Sequence, residues 1–147
     1  MKKVSILAFA LLAIKPLAAQ TIKEKDVPQI VVDAFNKDYP YGHDQNVTWG
    51  KNKENYEAEY GSDRAVLIAP TGKIIANKNA ILTKNLPEAI LNYFRDVEKT
   101  EKLVEAERVI MVEDGAVFFL VVTKNHFYKF DTLGKLISNE PFNEISK

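Results

Sequence analysis

Val27-Pro28-Gln29-Ile30-Val31-Val32-Asp33-Ala34-Phe35 returns later in the chain as Leu86-Pro87-Glu88-Ala89-Ile90-Leu91-Asn92-Tyr93-Phe94, with the prolines and the final phenylalanines in the same register. Further on, Ile68-Ala69-Pro70-Thr71-Gly72-Lys73-Ile74-Ile75 is echoed by Phe130-Asp131-Thr132-Leu133-Gly134-Lys135-Leu136-Ile137. Self-similarity with the same order of parts is the mark of a repeated supersecondary unit. In each copy a proline suits the first helical position, where its missing N–H has no consequence. Asp26 and Asn85 stand just upstream as candidate caps. Ile30, Val31, Ala34 and Phe35, then Ile90, Leu91 and Phe94, fall on one face at helical spacing. The first helix is expected to stop at Tyr39-Pro40, because proline disfavours a helical conformation in the residue before it.

After each helix come short alternating or apolar runs divided by turn residues, the pattern of antiparallel strands joined by hairpins. Strands are expected at 47–49, 56–60, 64–68 and 74–76, then near 103–112, 116–122, 127–130 and 136–137. Gly61-Ser62-Asp63, Thr71-Gly72, Asp114-Gly115 and Leu133-Gly134 supply the turns between them. The predicted fold class is α+β: two tandem units, each a helix followed by an antiparallel meander, with the helices on one side of the sheet. Residues 20–80 hold the first unit and 81–147 the second, together forming one domain.

The strand stretches of the two units differ. Tyr56, Ala58 and Tyr60 share one face of a strand with Glu57 and Glu59 on the other, which describes a strand wet on one side. Val117-Phe118-Phe119-Leu120-Val121 is apolar on both faces. Phe118 and Leu120 therefore need a cover, either inside the molecule or from a partner, since contiguous apolar patches mark interaction sites.

Residues 1–19 have an export layout. Met1-Lys2-Lys3 is a charged start, residues 4–14 an apolar run too short to span a bilayer, and Leu17-Ala18-Ala19 a small-residue end suited to cleavage before Gln20. Without Lys2, Lys3 and Lys15, 17 of the 20 basic residues remain against 20 acidic ones, so the mature chain is mildly acidic and has no footprint for nucleic acid. The balance of 46% hydrophobic and 27% charged residues is that of a folded domain. With no cysteine, disulfides, thiolate metal sites and cysteine nucleophiles are excluded. A periplasmic or secreted protein with no membrane span after cleavage is expected.

The Val-Pro or Leu-Pro helix start followed by phenylalanine, Tyr39-Pro40, Thr48-Trp49, Tyr56-Glu57-Ala58-Glu59-Tyr60 and Phe130-Asp131-Thr132-Leu133-Gly134-Lys135 come in an order that resembles the PepSY-like family. These are small exported bacterial proteins described as similar to β-lactamase-inhibitor proteins. The resemblance covers nearly the whole mature chain. It implies tandem helix-and-sheet units and a role in holding another protein, and it supplies no catalytic residue set.

Catalytic equipment is absent from the sequence. No phosphate loop, His-Glu-x-x-His helix or Gly-x-Ser-x-Gly elbow occurs. His43 and His126 stand in different units, and a metal site needs three or four converging ligands. Glu57 and Glu59, like Glu105 and Glu107, read as solvated outer-face residues rather than as a glycosidase-like pair. No catalytic, cofactor-binding or metal residues are expected. The expected function is that of a non-catalytic binding module engaging or inhibiting another envelope or secreted protein through its sheet face. The alternative is a small-molecule or carbohydrate site on an aromatic face around Trp49, Tyr56 and Tyr60. Phe118, Leu120, Trp49, Tyr56 and Tyr60 are the candidate partner-binding residues. Asp131-Thr132-Leu133 also resembles a bacterial O-glycosylation motif, with the turn-forming aspartate as the plainer reading.

Overall fold

The computed structural model describes residues 20–42 and 45–141. The export segment at 1–19 and His43 lie outside them. Strand β1 (Gln20–Ile22) leads through one 3-10 turn, Glu24–Asp26, into helix α1 (Gln29–Asp38). Strands β2 (Thr48–Asn52), β3 (Asn55–Tyr60), β4 (Arg64–Ile68) and β5 (Ile74–Ile81) follow. A second 3-10 turn, Thr83–Asn85, then opens helix α2 (Glu88–Asp96). The chain continues through β6 (Leu103–Met111), β7 (Val117–Thr123), β8 (His126–Asp131) and β9 (Leu136–Pro141).

These nine strands form one antiparallel sheet in chain order, each bonded to its sequence neighbours. The fold is therefore α+β, and the strands on either side of α2 belong to a single sheet. The join is β5 against β6, with pairs running from Ala76↔Met111 to Ile81↔Ala106.

Both helices start in the same way, and not as Asp26 and Asn85 suggested. Those residues close the 3-10 turns, and neither helix has a side-chain cap bond. Pro28 and Pro87 are themselves the extended residues before the first turn, with ψ of 135° and 139°. Their carbonyls accept from Val31 and Val32, and from Ile90 and Leu91. Proline fits because it presents a carbonyl to the helix and has no N–H to satisfy. Helix α1 ends at Asp38, with Tyr39 N–H on the Phe35 carbonyl immediately before Pro40.

Pair register shows that both helices lie on one face. Val66 pairs with Asn77, and Ile81, four residues on and on the same face, pairs with Ala106, which pairs with Val121 and then Tyr128. Under α1, Val31, Val32 and Phe35 pack with Trp49, Ala58, Val66 and Ile68. Under α2, Ile90 and Phe94 pack with Ala106, Val121, Tyr128 and Phe130. Each helix sits on an aromatic group: Phe35 meets Trp49 and Tyr60 edge-on at 5.6 and 5.5 Å, and Phe94 meets Tyr128 and Phe130 at 5.0 and 5.8 Å. Burying such side chains stabilises each half by about 1.5–3 kcal/mol per residue.

Two turn glycines hold the sheet against the helices. A Cβ on Gly72 would lie 3.0 Å from the Ile30 carbonyl oxygen, and one on Gly134 would lie 2.5 Å from the Ala89 Cβ. Both also have positive φ, 84° and 80°, which other residues seldom adopt.

Candidate functional site: the sheet face opposite the helices

The other face carries no helix among the described residues, and strand register fixes its contents. Glu59 on β3 pairs with Ala65 on β4, Ala65 with Lys78 on β5, Lys78 with Val109 on β6, and Val109 with Phe118 on β7. The next row runs Ala80, Glu107, Leu120 and Lys129 across β5 to β8. The face thus passes from carboxylates on β3 to hydrocarbon on β7.

Lys78 stands at its centre with its side chain 2% exposed. Its Nζ donates to Glu57 Oε2 at 3.1 Å and lies 3.1 Å from Glu107 Oε2. Glu107 Oε2 is thus the second ionic partner of the same ammonium. An unpaired ion in a protein interior costs several kcal/mol; here two carboxylates surround one ammonium. Burial pushes the Glu57 carboxyl above its usual range; Lys78 opposes the rise, and Glu107 adds to it. Burial also works against the Lys78 charge, yet Glu107 and Glu57 outweigh it and hold the ammonium above its ordinary value. Glu105 is raised by burial and then by Glu107.

Glu57 therefore departs from the expected solvated position. It is 2% exposed because β3 is an interior strand of a wide sheet. Glu59, two pairs nearer the turn, is exposed as expected. Around it lies a hollow of about 160 Å³, lined by the β3–β4 turn, Glu59, Ala65, Lys78, Ala80 and Glu107. Two alanines on adjacent strands leave that space.

Phe118 and Leu120, on the same face, are 3% and 4% exposed and cluster with Leu67, Ala76 and Val109, all from strands. The Lys129 ammonium stands 4.0 Å from the Phe118 ring centroid, within cation–π range. Trp49, Tyr56 and Tyr60 lie on the helix side, buried beneath α1 at 2%, 8% and 9% exposure. Trp49 is edge-on to Phe35, and its Nε1 donates to Glu24 at 3.3 Å. They form the floor of α1 and leave no open stacking platform. The aromatic residues and the Phe118–Leu120 pair are thus on opposite faces of the sheet.

His126 begins β8, where its Nδ1 is 2.9 Å from Glu101 Oε1. Burial would raise the Glu101 carboxyl, but hydrogen bonds from Thr123, His126 and Asn125 bring it below its ordinary value. Among the described residues no group of three or more His, Cys, Asp or Glu gathers to hold a metal. No helix among them is long and apolar enough to cross a membrane.

Lys78 is the site residue that sequence reasoning missed. Asn77-Lys78-Asn79 has poor strand propensity and falls outside the strand expected at 74–76, yet it lies in the middle of β5. The signal was present as alternation: Ala76, Lys78 and Ala80 fall two apart.

No protein-family model and no curated protein matches the chain. Solved structures do. A BLIP-like protein from Bacteroides fragilis is 17% identical, with a TM-score of 0.59 over 78% of this chain and 86% of its own. A protein from Bacteroides eggerthii, provisionally described as periplasmic, is 16% identical, with a TM-score of 0.65 over 82% and 93%. A DUF2874 family protein from Bacteroides uniformis is 18% identical, with a TM-score of 0.63 over 78% and 88%. At these identities the likeness is one of fold, and it extends over most of each chain.

Proposed function

We propose that this chain is an exported, non-catalytic binding protein of the bacterial envelope that engages another protein through the sheet face opposite its helices. The observation that carries the reading is the division of faces: both helices occupy one side, and among the described residues the other carries no helix, with Glu59 exposed on it and Phe118 and Leu120 buried among its strands. In this reading residues 1–19 are a cleaved leader and β1, which starts at Gln20, is the mature N-terminal strand. Residues 20–80 and 81–147 are two copies of one unit, supported by the repeated sequence of 3-10 turn, proline, helix and four strands. Phe118 and Leu120 form the floor of the docking face. The fold shared with a BLIP-like protein and with a chain provisionally placed in the periplasm supports both the compartment and the binding role.

Site-specific photo-crosslinking tests it. A photoreactive residue in place of Glu59 or Ser138, on the open face, is expected to trap a discrete protein adduct in the envelope. The same residue at Asp33 or Lys37, on the exposed side of α1, is expected to trap none. Equal adducts from both faces, or adducts from α1 alone, would reverse the assignment.

A further inference from the structure

The edge of the sheet at β1 starts on a residue with reactive chemistry of its own. Gln20 is exposed, opens the strand, and is the strand partner of Lys51. Among the described residues no hydrogen bond holds its carboxamide. The strand is anchored further on: Thr21 and Ile22 pair with Gly50 and Trp49, and Ile22 packs against the apolar cluster under α1. Cutting after Ala19 leaves the Gln20 nitrogen as a terminal amine. That amine stands across from Lys51, which is exposed, lies 5.8 Å from the Tyr56 ring centroid and has no ion-pair partner among the described residues. Like charges directly opposite one another on paired strands are unfavourable, and a nearby cation disfavours the protonated form of an amine. The uncharged amine is the nucleophile. A free carboxamide and an amine in its reactive form therefore meet on one residue at an exposed edge.

We propose that the mature N-terminus is closed as a pyroglutamate at Gln20. The inference rests on the reading of residues 1–19 as a cleaved leader, and it names what becomes of the new end. The α-nitrogen attacks Cδ of the side-chain carboxamide, the N–Cδ bond forms, and the Cδ–Nε2 bond breaks. The leaving nitrogen keeps the bonding electron pair, takes one proton from the attacking amine and departs as ammonia, so no oxidant or second reactant is needed. The ring contains only N, Cα, Cβ, Cγ and Cδ of Gln20. Its carbonyl and the pairs made by Thr21 and Ile22 stay in the sheet. Cyclisation removes a cation from beside Lys51 and leaves the edge strand without the terminal ammonium that aminopeptidases require.

The test is intact-mass and N-terminal tandem mass spectrometry of the full-length chain, expressed with its leader in a Gram-negative host and isolated from the periplasm. Chains that begin at Gln20 and are lighter by one ammonia are expected, and pyroglutamyl aminopeptidase should then expose Thr21 as the new end. Lys51→Glu, at an exposed position, is expected to slow the loss of ammonia about threefold, read as the cyclised fraction against time after a pulse of expression. Chains that begin at Gln20 and keep their ammonia through storage at neutral pH would overturn the proposal and leave the leader reading intact. A mature end at another residue would also overturn it, while export itself stands. An uncut chain would sink the leader and the lactam together. An unaltered rate in Lys51→Glu would overturn the part given to Lys51.

Discussion

Strands β3 and β7 occupy matching places in their halves of the sheet, one looking half-wet in sequence and the other dry. In the folded chain both are dry on the face away from the helices: Glu57 is 2% exposed and Phe118 3%. The difference is in how that face is satisfied. On β7 it is hydrocarbon against Val109 and Leu67, and on β3 it is a carboxylate held by Lys78. Position within a nine-stranded sheet, not alternation along a single strand, decides burial. An ionic solution is tolerated in one half because the strand that joins the halves supplies the counter-charge.

Breaking that arrangement should be costly. Lys78→Ala leaves Glu57 and Glu107 facing each other without a cation, and a loss of about 3–5 kcal/mol is expected in urea unfolding. Leu120→Ala in the hydrocarbon half should lose about 2–5 kcal/mol from its lost packing alone. Simultaneous replacement of Glu57, Lys78 and Glu107 by leucine makes the first half resemble the second. It should cost far less than Lys78→Ala, because an apolar replacement for a whole buried ion cluster is often neutral.

The pH dependence separates the halves more gently. The Glu57 carboxyl is held above its ordinary 4.5, so its contribution is fully present below that value and is lost as pH rises through the folded value. The Lys78 contribution is present below 10.5 and is lost only as pH rises through its raised value. Compared with the wild type, Glu57→Gln should therefore remove a fall in stability that begins above pH 4.5, measured by thermal melts from pH 4 to pH 8.

The smallest effect distinguishes the two matching turns. Ala69-Pro70-Thr71-Gly72-Lys73 and Asp131-Thr132-Leu133-Gly134-Lys135 share their backbone bonds, glycine N–H to the first carbonyl at 2.9 and 3.0 Å. Only Asp131 adds side-chain acceptance, from Leu133 N–H at 2.9 Å and Lys135 N–H at 2.8 Å. Asp131→Ala should lose about 1–2 kcal/mol, and Ala69→Asp should gain up to about 1 kcal/mol.

Much of this fold is legible from local chemistry. The glycine turns, the end of α1 at Tyr39-Pro40 and most strands follow from periodicity and turn residues, because short-range sterics set them. Strand β1 was not expected, since Gln20-Thr21-Ile22 is ordered by pairing with Gly50 and its neighbours and has no periodicity of its own. The second half of β5 was missed for a related reason: pairing with β6 overrides the weak propensity of Asn77-Lys78-Asn79. That one omission hid the ion cluster. With the strand ended at Ala76, Lys78 was not set beside Glu57, and a carboxylate without a counter-charge belongs in water. The faces of Trp49, Tyr56 and Tyr60 were legible as one group, but which side the helix would cover was not, because that depends on how the helix crosses the sheet.

The most direct test of a sealed lysine joining two halves of one sheet is the exchange of its ammonium protons. In ¹⁵N-resolved NMR at neutral pH, the Lys78 Nζ–H signal should persist, protected by burial and its carboxylates, and should vanish in Lys78→Arg. Lysine ammonium protons that all exchange as rapidly as those on exposed side chains would contradict the account.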